Sequence, residues 1–320
     1  MNAPAHSYVT VYVCQRCRAQ SQRDSSVCGA CGRVNSLRPV ERLARAVTLP
    51  PPRPRSENLS AVLRKGEHGE NHRLTGEGEG GPTSPPPPPR PVSLSSARAE
   101  LAVRVPSGVD ALDFVAGDED TDGLPLKRVV VLGGERGTGK SSLLIKAAAG
   151  LCERLERPGL YVSSEGQDAG ELRAMADAQG VELERLQVLE TTDLRDVVAN
   201  ALELEPCVIV ADSVSMLHVD GMRAESAEEA KYVLGVLRDL AREPQGCAVL
   251  AIVHMTKEGK ARGSNYLFHL ADTLLDLTHD EHAEGRIVVA CDGKNRGGPS
   301  NRRAFVRFGS RGRLLDDGRA

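Results

Sequence analysis

The sequence predicts an α/β protein: a mostly parallel sheet with helices on both faces and an antiparallel edge. Apolar, β-branched runs recur at 128–132, 159–163, 207–211, 247–253, 272–277, 286–291 and 303–308, and helical stretches separate the earlier ones. That alternation belongs to parallel strands joined by crossover helices. The last three runs follow one another with short gaps, which suits antiparallel pairing. A glycine-rich loop then joins the first run to a helical pattern. No internal repeat is evident.

The chain has 320 residues, enough for about two domains or one large domain with appendages. Aromatic residues make up only 3% and tryptophan is absent, so the core must be built from Leu, Val, Ala and Ile. A formal net charge of −3 is small and does not mark the whole molecule as a polyanion binder. No apolar run reaches the length of about 18 residues that a membrane span needs. The N-terminus also lacks a basic-then-apolar leader. The expected compartment is therefore the cytoplasm, with no membrane partner. Thiols stay reduced there, and paired cysteines point to metal rather than disulfides.

Residues 8–35 read as a zinc ribbon. Cys14-x-x-Cys17 and Cys28-x-x-Cys31 are separated by ten residues, with Gly29 and Gly32 in the second knuckle. Tetrahedral Zn²⁺ takes four thiolates, and two such turns supply them. So small a module has little core, and the metal would hold it folded. Cys152, Cys207, Cys247 and Cys291 instead fall inside helix or strand runs and read as core residues.

Residues 36–100 change character. Pro50-Pro51-Pro52, Gly76-Glu77-Gly78-Glu79-Gly80-Gly81 and Pro85 to Pro89 leave little that could pack. The segment reads as a disordered Pro/Gly-rich linker. As a coil it would span on the order of 45 Å.

The α/β domain is expected over 101–315. Its first strand leads into Gly134-Glu135-Arg136-Gly137-Thr138-Gly139-Lys140-Ser141-Ser142, the G-x-x-x-x-G-K-S pattern of a phosphate-binding loop. Glycines allow a turn whose N–H groups converge on phosphate oxygens at the positive end of the next helix. In such loops the lysine reaches the β- and γ-phosphates and the serine hydroxyl meets Mg²⁺. The helix that follows would bury Leu143, Ala147, Leu151 and Leu155, with Leu144 and Ala148 beside them.

Gly159 to Glu165 is a second strand ending in an acid. Glu165 could orient or deprotonate an attacking water, although alone it reads as a surface glutamate starting a turn. Val208 to Ser213 is an apolar strand ending at Asp212, the position of a Mg²⁺-coordinating aspartate beside a phosphate loop. The run ending at Val253 feeds a polar loop that carries Lys257, Lys260 and Arg262. Those cations suit DNA backbone contact and suit a solvated loop equally well.

Taken in order, these pieces resemble bacterial RadA (Sms), a DNA-repair ATPase family whose core is similar to RecA and DnaB-type helicases. The match runs through the Tyr8-to-Cys31 ribbon, the phosphate loop, Tyr161-Val162-Ser163-Ser164-Glu165, Val208 to Ser213 and His254-Met255-Thr256-Lys257-Glu258-Gly259. It ends at Lys294-Asn295-Arg296-Gly297-Gly298, which is similar to the family's Lys-Asn-Arg-Phe-Gly signature.

The resemblance implies a RecA-like phosphate-loop ATPase fold, ATP hydrolysis with Mg²⁺, binding of single-stranded or branched DNA, and a ring or filament of identical subunits. It makes Glu165 the catalytic glutamate and His254 the γ-phosphate sensor. Lys294 and Arg296 would act on the neighbouring subunit's nucleotide. Departures are Gly297 in place of the signature phenylalanine, Gly166 in place of a second acid, and the acidic insertion Asp118-Glu119-Asp120. The resemblance covers roughly residues 8–35 and 104–312, and the chain is expected to lack the family's Lon-protease-like domain. Two other readings use the same residues: a nucleotide-gated regulatory protein without translocation, and a zinc-ribbon adaptor with a structural ATPase domain.

Overall fold

The computed structural model describes residues 8–14, 20–21, 37–43, 102–224, 226–253 and 269–319. In the N-terminal unit, β1 (Tyr8–Cys14) pairs antiparallel with β2 (Gln20–Ser21) and along its whole length with β3 (Leu37–Leu43). This corrects the linker boundary at 36. Leu37-Arg38-Pro39-Val40-Glu41-Arg42-Leu43 pairs with β1 rather than starting a tether, and the proline is accommodated because β3 is an edge strand.

The larger unit opens with β4 (Arg104–Val105), α1 (Asp110–Ala116) and β5 (Leu124–Pro125); β4 and β5 form a separate antiparallel pair. The main sheet follows. Its strands are β6 (Arg128–Gly134), β7 (Gly159–Ser163), β8 (Leu186–Glu190), β9 (Val208–Asp212), β10 (Ala248–Ile252), β11 (Thr273–His279), β12 (Arg286–Ala290), β13 (Arg303–Phe308) and β14 (Leu314–Arg319). They lie in the order β14-β13-β12-β11-β6-β10-β9-β7-β8.

From β11 to β8 every pairing is parallel. From β11 to β14 every pairing is antiparallel. The 272–277 run, expected wholly on the antiparallel edge, is therefore mixed: β11 joins the parallel block through β6. The domain also runs beyond 315, because β14 continues to Arg319.

The remaining helices are α2 (Lys140–Leu155), α3 (Ala169–Gln179), α4 (Leu194–Leu204) and α5 (Ala227–Ala241). Strand alternation explains the two faces of the sheet. Val130, Leu132, Val210, Leu250 and Tyr161 pack with α1, α2 and α3, whereas Val129, Val131, Ile209, Ala211 and Val249 pack with α4 and α5. As expected, Cys152, Cys207, Cys247 and Cys291 are all buried.

Gly150 shows how closely α2 is held. A Cβ there would overlap the carbonyl oxygen of Ser107. At an open helical site Gly→Ala stabilises by about 1 kcal/mol. Here Gly150→Ala should instead destabilise by ~2 kcal/mol, read as a lowered urea midpoint at unchanged slope.

Candidate nucleotide site

The phosphate loop begins where β6 ends. Gly134 has φ +131°, and a Cβ on it would run into the Leu277 backbone of β11. The next N–H, that of Glu135, donates to the Leu277 carbonyl at 3.2 Å. Gly137 and Gly139 also lie in the left-handed region, at φ +80° and +77°. The ring of Phe308 fills the space where a Gly139 side chain would project. Gly139 is the N-cap of α2, so the helix's first N–H groups and its positive end face the loop.

Lys140 is buried and donates to the carbonyls of Gly134 at 3.2 Å and Glu135 at 2.5 Å. Burial lowers its pKa, and the negative charges of Asp212 and Glu165 oppose that shift. Thr138, also buried, closes the turn by donating to the Glu135 carbonyl at 2.9 Å. Glu135, Arg136 and Gly137 form the exposed tip, while Ser142 is half-buried.

Asp212 ends β9 and is buried. Its Oδ2 accepts from the Ser141 hydroxyl and from the Tyr161 hydroxyl, each at 2.7 Å. Glu165 stands exposed just past β7, near enough for its charge to act on Lys140. One end of the parallel sheet thus brings together Lys140, Ser141, Asp212 and Glu165. Ser141 and Asp212 offer hard oxygen donors of the kind Mg²⁺ takes alongside phosphates and water.

Lys294 and Arg296 lie elsewhere. They belong to the turn between β12 and β13, which is fastened to the start of β11. Leu274 N–H donates to the Lys294 carbonyl at 2.7 Å, and Thr273 pairs with Asn295. Leu277 is the β11 residue beside the phosphate loop and Thr273 begins the strand, so about 13 Å of strand separates the two groups. Within one chain these cations do not converge with Lys140. The Cys14 side chain, Cys17, Cys28, Cys31, His254, Lys257, Lys260 and Arg262 lie outside the described residues. Among the described residues no cluster of three or more His, Cys, Asp or Glu is placed to hold a metal, and no helix is long and apolar enough to cross a membrane.

Tyr161 went unassigned in the sequence reading, although it belongs to the quoted strand motif. Its position opposite α2 follows from the period-two alternation of β7. Asp272, paired with Arg296, was likewise missed; an acid inside an apolar run was its only signal.

Sheet order and loop together give a RecA/KaiC-like α/β fold that carries a phosphate-loop motif. An AAA domain matches residues 120–260. A KaiC-like protein from Pyrococcus horikoshii shares the fold, with a TM-score of 0.55 at 19% identity over 68% of this chain and 100% of that one. More particularly, the chain is similar to bacterial RadA proteins. The DNA repair protein RadA of Pseudomonas aeruginosa is 26% identical over 91% of this chain and 56% of its own length. RadA of Synechocystis is 29% identical over 90% and 55%, and that of Mycobacterium tuberculosis is 30% identical over 66% and 43%. The chain spans about half the length of the curated relatives it matches.

Tyr161→Phe should destabilise the protein by ~2 kcal/mol in urea unfolding, since Asp212 loses a buried donor. Burial, with the Asp212 charge second, holds the Tyr161 pKa well above the usual tyrosine value. The stabilisation is therefore complete below about pH 10 and is lost as pH rises toward the raised value. Tyrosinate absorbance in an alkaline titration should show a late phase that Tyr161→Phe lacks.

Proposed function

We propose that this chain is a RadA-like ATPase of DNA recombination and repair, hydrolysing ATP with Mg²⁺ and coupling turnover to single-stranded or branched DNA. The observation that carries the reading is the convergence of Lys140, Ser141, Asp212 and Glu165 beside a glycine-rich loop at a helix N-terminus.

The loop N–H groups and Lys140 would bind the triphosphate. Ser141 and Asp212 would hold Mg²⁺, which supplies charge neutralisation at the phosphate oxygens. Tyr161 keeps the Asp212 carboxylate fixed while Ser141 turns toward the ion. Glu165, exposed at the mouth of the site, orients the attacking water and takes its proton. His254 reports the γ-phosphate to the loop that follows, where Lys257, Lys260 and Arg262 meet the DNA backbone.

Lys294 and Arg296 serve the nucleotide of a neighbouring subunit in a ring or filament. Their separation from Lys140 along β11 supports this reading, because a cation that arrives only with a neighbour confines hydrolysis to the assembled state. Cys14, Cys17, Cys28 and Cys31 bind a structural Zn²⁺ in the N-terminal ribbon.

The central test is ATP turnover with and without single-stranded oligonucleotide. Stimulation that disappears in Lys140→Ala supports the reading; nucleotide binding without turnover would leave a regulatory switch in its place. Lys294→Ala should lower kcat by at least about 100-fold with ATP affinity within about threefold. A large loss of affinity would put Lys294 in its own chain's pocket. Metal analysis of the intact protein should find one zinc per chain, and its release in Cys28→Ser should spare DNA-independent turnover.

A further inference from the structure

We propose that Asp272 is a positioning residue for Arg296, holding its guanidinium where it can reach a neighbouring subunit's nucleotide; the inference rests on the trans reading above. Asp272 directly precedes β11, and its side chain is only 3% exposed. One carboxylate oxygen, Oδ2, accepts from the Val129 N–H at 3.1 Å, which fixes the group against the start of β6. The other, Oδ1, faces Arg296 Nη1 at 3.3 Å. The Asp272 carbonyl also accepts the Arg296 N–H at 2.9 Å. A single buried residue therefore grips Arg296 by both backbone and charge, while the arginine side chain stays 57% exposed.

The surroundings make that charge matter. Arg242 feels the Asp272 carboxylate too, and it is repelled by Arg128 and Arg238. Cations crowd this corner, and a buried carboxylate is screened far less than a surface one. Without it, Arg296 loses the carboxylate that its Nη1 faces.

Asn295 anchors the turn independently. Its Oδ1 accepts from the Thr273 hydroxyl at 3.1 Å, and its Nδ2 donates to the carbonyls of Gly117 at 2.8 Å and Pro299 at 3.1 Å. Loss of the Asp272 charge would thus change the aim of the guanidinium and leave the turn's backbone in place.

Asp272→Asn keeps an acceptor for Val129 and removes only the charge. In the full-length protein, with ATP and saturating single-stranded oligonucleotide, it should lower kcat about tenfold with KM for ATP within about twofold. In an Arg296→Ala background the same replacement should change kcat less than about twofold, because nothing is left to aim. Equal losses in the two backgrounds, or an unchanged kcat in the single variant, would overturn the assignment. Unchanged turnover in Arg296→Ala alone would remove the trans reading itself, and this inference with it.

Discussion

One carboxylate oxygen, Asp212 Oδ2, receives both the Ser141 and the Tyr161 hydroxyls. Through it the first turn of α2, the middle of β7 and the end of β9 become one unit. A buried carboxylate is costly unless donors surround it, so the three elements cannot slide past one another without exposing that cost. The phosphate loop inherits its placement from this knot. Its far end is the first turn of α2, and its near end is the close approach of Gly134 to Leu277. Lys140, between them, has little choice of direction, and its ammonium turns back over the loop's own carbonyls.

Much of this was legible in the sequence because buried parallel strands write themselves as apolar runs. All of the strands read from such runs exist, and Lys140, Ser141, Asp212 and Glu165 meet as the motif order implies. The strands that escaped notice are those with little to bury. β8 presents Leu186-Gln187-Val188-Leu189-Glu190 at the sheet edge, with no residue fully buried. β14 carries two aspartates and a glycine, and only Leu314 is buried. The third strand of the N-terminal unit was hidden by Arg38, Pro39, Glu41 and Arg42, a composition like that of the Pro/Gly-rich sequence that follows. Tyr161 and Asp272 were hidden differently: their roles depend on which partner lies across the sheet, and no local pattern states that.

The departures from the RadA signature acquire physical reasons. Gly297, in place of phenylalanine, has φ +88°, a conformation that suits glycine. Gly298 packs so closely on the Gly117 carbonyl that any side chain would overlap it. The acidic insertion braces the same region. Asp118 accepts the Arg104 guanidinium at 2.9 Å and caps the N–H groups of Asp120 and Thr121. Arg302 then bonds the carbonyls of Phe114 and Asp118, joining α1 and the insertion to the strand after the signature turn. The insertion therefore supports the turn instead of disturbing it.

β11 gives the proposed assembly its directionality. One end of the strand abuts the glycine that opens the phosphate loop; the other carries the turn with Lys294 and Arg296. The length of β11 lies between the phosphate loop and the turn that carries this cation pair. In the proposed assembly they would meet head to tail, between different copies, and such contacts would propagate into a closed ring or an open helix according to the rotation between neighbours. Asp272 sits at the hinge of that proposal: it directly precedes the strand that sets the separation and pairs with Arg296, the residue proposed to cross the gap.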